Sequence, residues 1–148
     1  MIAEPNYFLV AGGAMSAVAA ALHLGCIVFG ASWYRFFGAG EKMARMVEAG
    51  SAYPAIITSI ITAMLLVWSA YAFSGAGLIS RLPLLRTILC AIAAVYLLRG
   101  IAFVPLMPLF PGNSMAFWLW SSAICVVIGA AYAIGIRQAW PALSLGGA

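Results

Sequence analysis

Residues 90–110 read CAIAAVYLLRGIAFVPLMPLF, an almost wholly apolar stretch that contains one charged residue, Arg99. Its length suits a membrane-crossing helix, because about 20 apolar residues span the hydrocarbon core of a bilayer. An arginine cannot shed its charge, and at the centre of a hydrocarbon layer it costs about 3 kcal/mol or more. The stretch therefore predicts a transmembrane helix and raises the question of what Arg99 holds.

The composition of the whole chain indicates an integral membrane protein. Of its 148 residues, 66% are hydrophobic and 7% are charged, whereas a soluble domain carries roughly 25% charged residues. The net charge of +4 comes from few residues, which is no basis for binding nucleic acid and fits basic residues that flank a membrane. We therefore expect membrane lipid as a partner and no nucleic acid.

Three further apolar runs are as long as the first. The four predicted spans cover residues 8–32, 54–73, 84–107 and 115–136. Only helices and closed barrels satisfy their backbone groups in lipid, so we predict an all-α fold in which residues 1–148 form one four-helix transmembrane domain. The sequence has no internal repeat, which gives no support to an inverted-repeat transporter.

The connection between the first two spans contains EKMARMVE, residues 41–48. Met43, Met46 and Val47 fall on one side of a helix, while Glu41 and Arg45 form an i,i+4 pair on another. This pattern predicts a short amphipathic helix over residues 41–47 that lies at the membrane interface. The same residues could instead extend the second span.

Small residues recur every four positions in the first span, as Gly13, Ala17, Ala21 and Gly25. Such a stripe lets another helix approach closely. We favour packing within the four-helix unit, and the alternative is a homo-oligomer formed through this face.

The polar groups at membrane depth converge on one end of the predicted bundle. His23 comes ten residues before Trp33, and Arg99 six before Pro105, which places both in the half nearer the first and third connections. Tyr96 shares a helix face with Arg99. We predict a polar-mouthed cavity there, with these ligand-binding residues: Arg99, Tyr96, His23, Glu41, Arg45, Trp33, Trp118 and Asn113.

Several partners could neutralise Arg99. Glu41 or Glu48 could fold in from the first connection, or carbonyls freed near Pro105 could accept its hydrogen bonds. The partner could also be a lipid phosphate or an anionic ligand. Alternatively, Arg99 extends to the interface and binds nothing specific.

His23 is the one weak candidate for a catalytic residue, as an acid or base. A neutral, hydrogen-bonded packing role is the simpler interpretation. A single histidine cannot build a multi-histidine metal site, so we predict no metal site and identify no cofactor. Cys26, Cys90 and Cys125 fall within spans without a C-x-x-C pair, which argues against a thiol oxidoreductase.

The length, the four spans and EKMARMVE before the second span resemble the membrane-associated eicosanoid and glutathione enzymes. In that family a glutamate, an arginine and an asparagine at the start of the second span help to bind glutathione. Glu41, Arg45 and Glu48 lie at a comparable spacing. Arg45 stands where the family has asparagine, and the family's further basic residues in the second span are absent.

Three functions follow from these residues. The first is a protein that binds a lipid-like or amphipathic anionic molecule. The second is a membrane enzyme acting on a lipophilic substrate, with His23 as acid or base and Arg99 as electrostatic stabiliser, and the glutathione enzymes are an analogy for it. The third is a small anion transporter or channel. We expect an inner, cytoplasmic membrane of bacterial type and both termini in the cytoplasm, although three basic residues on each side leave the orientation undecided by charge.

Overall fold

The computed structural model describes residues 4–109 and 113–144, and these are helical with no strand. This confirms the all-α prediction. Three of the helices, α1, α4 and α7, are long and apolar enough to cross a membrane, which suggests a membrane location. The elements are α1 (Tyr7–Phe29), α2 (Ala31–Phe36), α3 (Glu41–Glu48), α4 (Tyr53–Gly75), α5 (Leu85–Ile101), α6 (Phe103–Leu106), a 3₁₀ turn (Met107–Leu109) and α7 (Met115–Ser144).

The predicted span over residues 84–107 is not one unbroken helix. Its helix α5 has 17 residues and ends at Ile101. Pro105 explains this end, because proline has no N–H to donate to the carbonyl four residues earlier and its ring clashes with that group. The chain breaks at Ala102 and continues as the short helix α6.

A glycine also divides the first predicted span. Gly30 has a φ of +74°, which glycine adopts without steric penalty, and it separates α1 from α2. The predicted helix in the first connection is present as α3. Its Met43 and Val47 pack against a small cluster around Tyr34 of α2 and Cys26 of α1, so part of its apolar side is covered by the chain itself.

The long helices pack as two pairs, α1 along α4 and α5 along α7. The pairs meet where α1 contacts α7 and, less extensively, where α4 contacts α5. Gly13 lies in the first pair, where an added Cβ would come within 3.0 Å of the Ala72 side chain. The Ser69 hydroxyl donates to the Gly13 carbonyl at 2.8 Å. Gly13 is therefore used for packing within the chain, and a role of the small-residue stripe between subunits stays a prediction.

Candidate functional site

Arg99 lies in the last turn of α5 and faces the first turns of α7. Its Nη1 and Nη2 donate to the hydroxyls of Ser122 and Ser121 at 3.3 and 3.1 Å. Its guanidinium carbon lies 5.0 Å from the centre of the Trp118 ring, a distance typical of a cation–π contact. The side chain is half-buried. An aromatic face and two neutral hydroxyls thus surround the charge.

The close approach of α5 and α7 at this point depends on Gly100. A Cβ on Gly100 would come within 3.0 Å of the Ser122 carbonyl oxygen and 2.5 Å of a Val126 methyl group. The missing side chain lets the two backbones come together. As a result, the neighbouring Arg99 reaches Ser121 and Ser122 without leaving its helix.

No carboxylate of the described residues pairs with Arg99. The sequence has three acidic residues, and all three are described. Glu4 accepts a hydrogen bond from Tyr7, whereas Glu41 and Glu48 both bind Arg35. Of the alternatives that the sequence left open, a glutamate of the first connection is therefore not the partner of Arg99 among the described residues.

The guanidinium of Arg99 keeps unused donors. A guanidinium has five N–H groups, and Arg99 uses two of them within the described residues. Among the described residues, the carbonyls near Pro105 are not its acceptors either. Three N–H donors therefore remain for a further partner.

The glutamates of the first connection form an ionic cluster centred on Arg35. Its Nε and Nη2 donate to Glu41 at 2.9 and 3.0 Å, and its Nη1 donates to Glu48 at 2.7 Å. Arg45 contacts Glu41 at 3.2 Å. The hydrogen bonds from Arg35, then from Arg45, lower the pKa of Glu41 to about 2. The Arg35 hydrogen bond also lowers the pKa of Glu48, so both carboxylates are ionised at neutral pH.

Two of the predicted ligand-binding residues, Glu41 and Arg45, belong to this exposed ionic cluster. Their part in ligand binding stays a prediction. Glu41, Arg45 and Glu48, whose spacing resembles that of the glutathione-binding residues in the membrane enzymes, form ion pairs within the chain. Arg35 is the central cation of this network.

Tyr96 belongs to a buried hydrogen-bond chain that joins all four long helices. Its hydroxyl lies 2.9 Å from the hydroxyl of Ser16, which lies 3.1 Å from that of Tyr132. Tyr132 donates to the carbonyl of Trp68 at 3.0 Å. Because each hydroxyl has one proton, the direction is fixed: Tyr96 donates to Ser16, and Ser16 donates to Tyr132. Tyr96 is therefore engaged in the core.

Within the described residues, His23 makes no hydrogen bond with Arg99 or Tyr96. Its Nδ1 lies 2.7 Å from the carbonyl oxygen of Ala19, one turn earlier in α1. A carbonyl only accepts, so Nδ1 carries the proton. Within the described chain this is the bonding of a helix-packing histidine, and a catalytic role for His23 stays a prediction.

The remaining predicted residues lie at the same end of the bundle, around the first connection. The Trp33 ring packs over Gly25 and stacks on Phe29 with centroids 4.4 Å apart. Asn113 lies beside Gly40, where an added Cβ would come within 3.2 Å of its side-chain oxygen. The structure thus brings Arg99 and Trp118 together. The other predicted residues have separate contacts, and their part in ligand binding stays a prediction.

Sequence reasoning missed the residues that hold Arg99 and the glutamates. Ser121 and Ser122 follow Trp118 by three and four positions, so they share its helix face. Comparing the membrane depth of the α7 residues with that of Arg99 would have identified Ser121 and Ser122 as its neighbours. Arg35 carried no such signal, because its spacing from Glu41 and Glu48 depends on the turn between α2 and α3.

Comparison with family models, with curated proteins and with solved structures gives no match for this chain.

Proposed function

We propose that this chain is an integral membrane protein that binds an anionic, lipid-like or amphipathic molecule at Arg99. One observation carries the proposal: in the part of the chain that the structure describes, a half-buried guanidinium has three N–H groups left over and no carboxylate beside it. Charged groups at membrane depth are rare and mark functional sites. The missing partner is then an anion from outside the chain.

The chemistry around Arg99 favours a phosphate or carboxylate head group attached to an apolar body. Guanidinium binds such oxyanions through two parallel hydrogen bonds. The Trp118 ring on one side of the guanidinium restricts its orientation. Exposed apolar side chains on the adjoining turns, among them Leu98 and Leu119, offer contacts for a hydrocarbon portion.

We further propose that α5, continued by α6 and the 3₁₀ turn, makes a fourth crossing. At 1.5 Å per residue, the 17 residues of α5 extend about 25 Å, close to the hydrocarbon thickness of about 30 Å. The eight residues that follow, 102–109, would complete the distance. This placement puts Arg99 near one interface, where a head group can reach it.

The proposal also has α3 lying along that interface. Its Glu41 and Glu48 are exposed and ion-paired, while Ala44 is buried and Met43 packs inward. A polar side toward water and an apolar side toward the bundle suit an interfacial helix. The proposal thus has α3 beside the mouth of the Arg99 site.

Retention of a defined lipid tests the proposed function. The protein is purified into lipid-free detergent, loaded with phosphatidylglycerol or with phosphatidylcholine, and examined by native mass spectrometry. We expect phosphatidylglycerol to be retained preferentially and to raise the melting temperature. Arg99→Gln should abolish that retention at this site. Arg99→Lys should retain part of it, since lysine keeps the positive charge but cannot make two parallel hydrogen bonds to one oxyanion.

The matched control is Lys42→Gln, which removes an exposed positive charge at the same end of the bundle. It should leave retention unchanged if the site is Arg99 and not the general charge of this surface. Equal retention by wild type and Arg99→Gln, with equal melting temperatures, would overturn the proposal.

A further inference from the structure

A second basic site lies at the opposite end of the bundle, where α4 ends, α5 begins and α7 ends. A groove of about 580 Å³ lies there, lined by the two arginines Arg81 and Arg86 together with Leu82, Leu84 and Leu143. Arg86 and Arg99 are 13 residues apart on α5, which is about 20 Å along a helix. The groove is therefore separate from the Arg99 site.

The two arginines are held in place by the end of α7. Arg81 donates to the carbonyls of Ala142 and Leu143. Arg86 donates to the Ser144 hydroxyl at 2.9 Å, and its guanidinium carbon lies 4.9 Å from the centre of the Trp140 ring. All of these partners are neutral, and each guanidinium keeps at least three further N–H donors within the described residues.

The backbone of the connection that lines the groove is also fixed. The Ser74 hydroxyl donates to the carbonyl of Ser80 and accepts from the N–H of Leu82. The Tyr71 hydroxyl donates to the carbonyl of Pro83 at 3.2 Å. These bonds tie the segment between α4 and α5 to α4, so the groove is preformed.

The charges of the groove are not balanced by the chain's own side chains. Glu41 and Glu48 bind Arg35 at the far end, and Glu4 accepts from Tyr7. No acidic side chain lines the groove. Two arginines in one depression therefore offer a site for an anion.

We propose that this groove binds the phosphate head group of an anionic membrane lipid. An arginine binds a phosphate through two parallel hydrogen bonds. Basic pockets between membrane helices bind such head groups. Trp140 is of the residue type that settles at the interface.

Leu84 favours a lipid over a free phosphate ion. Its side chain is 73% exposed, and its backbone is held at a φ of +51°, a left-handed conformation that is unfavourable for leucine. This geometry keeps a large apolar side chain outside the bundle, beside the two arginines. A ligand with a phosphate and acyl chains uses both features. The inference goes beyond the Arg99 site and concerns a second ligand at the other end.

Photo-cross-linking with mapping of the attached peptide tests this proposal. The protein in detergent is mixed with a phosphatidylglycerol that carries a photoreactive group near the glycerol, then irradiated and digested. We expect label on the peptide that contains residues 82–85. Arg86→Gln should reduce this label about tenfold or more, because it removes a charge-assisted hydrogen bond, and Arg86→Lys should recover part of it.

Two controls make the result specific. Arg137→Gln removes an exposed arginine from the same end of α7 that does not line the groove, and it should leave the label at residues 82–85 unchanged. Arg99→Gln should also leave it unchanged, which separates this site from the proposed function.

Three outcomes would overturn the proposal: undiminished label in Arg86→Gln, an equal loss in Arg137→Gln, and protection of the groove by inorganic phosphate alone. The last would assign the groove to a soluble anion. Should Arg86→Gln unfold, Arg81→Gln serves in its place, because it removes the other guanidinium of the groove and should also reduce the label. Undiminished label in that variant would likewise overturn the proposal.

Discussion

Arg99 and Trp118 face each other across the α5–α7 contact, with the guanidinium carbon 5.0 Å from the ring centre. Ser121 and Ser122 follow Trp118 by three and four residues, so one face of α7 supplies both the ring and the hydroxyls. The ring occupies one side of the guanidinium and offers no hydrogen-bond acceptor on its face. The unused N–H groups therefore need acceptors from elsewhere.

Replacing Trp118 should weaken retention of an anionic lipid. The loss should be smaller when the new side chain is aromatic than when it is aliphatic. Trp118→Leu removes the cation–π contact, worth about 0.5–2 kcal/mol, and Trp118→Phe keeps part of it. We expect phosphatidylglycerol affinity to fall in the order wild type, Phe, Leu in a titration followed by native mass spectrometry. Trp120→Leu is the control, since Trp120 is 73% exposed on the same helix. Equal affinities for the Phe and Leu variants would contradict the role of the ring.

The ionic cluster of the first connection should persist in moderately acidic solution. The pKa of Glu41 is lowered from 4.5 to about 2. Because the folded-state pKa lies below the ordinary one, the stabilisation by its ion pairs is fully present above pH 4.5 and is lost as the pH falls toward 2. A ¹³C-NMR titration of labelled glutamate carboxyls should place the Glu41 midpoint near the lower value.

Variants of the two arginines separate the causes of this shift. Arg35→Gln should raise the Glu41 midpoint more than Arg45→Gln, because the Arg35 hydrogen bond is the larger cause. Arg35→Gln should also raise the midpoint of Glu48, which Arg45→Gln should change less. Added salt should reduce the shift, since the groups are exposed. An unshifted Glu41 midpoint in the wild type would refute the cluster.

The sequence was sufficient to predict the helical class because each long apolar run specifies a helix in lipid. It also predicted α3 from the positions of Met43, Met46 and Val47. It misjudged the end of α5, although the cause is visible in the sequence: Pro105 acts on the residue four positions earlier. Gly30 likewise interrupts the predicted first span. Its positive φ ends the helix, and a hydropathy profile contains no information on backbone conformation.

The candidate site was only partly predictable, for a different reason. Arg99 and Trp118 could be matched by depth along two helices. Which hydroxyl meets which side chain depends on helix rotation, and this rotation is set by close contacts such as Gly100 against Ser122. The i,i+4 pair of Glu41 with Arg45 was predictable from helical spacing and is present. The second partner of Glu41 was missed, because the turn between α2 and α3 brings Arg35 to it.

Gly100→Ala should destabilise the bundle and displace Arg99. Its Cβ would lie 3.0 Å from the backbone oxygen of Ser122 and 2.5 Å from a Val126 methyl group. Overpacking of this kind costs about 1–3 kcal/mol, which exceeds the gain of about 1 kcal/mol from replacing glycine by alanine in a helix. The melting temperature in detergent and phosphatidylglycerol retention should both fall. Adding Val126→Ala should restore part of each, and a Gly100→Ala variant as stable as wild type would contradict the close packing.

The direction of the hydrogen-bond chain from Tyr96 through Ser16 to Tyr132 predicts unequal effects of removing each tyrosine hydroxyl. Tyr132→Phe leaves the Ser16 proton without an acceptor in the core, which costs about 1–3 kcal/mol. Tyr96→Phe removes only a donor, because Ser16 still donates to Tyr132, and should cost about 0.5–1.5 kcal/mol. Tyr71→Phe is the control, since its hydroxyl bond to Pro83 is exposed and water replaces it. Reversible unfolding in mixed micelles should rank the free energies of unfolding in this order, and a larger loss for Tyr96→Phe than for Tyr132→Phe would reverse the assigned direction.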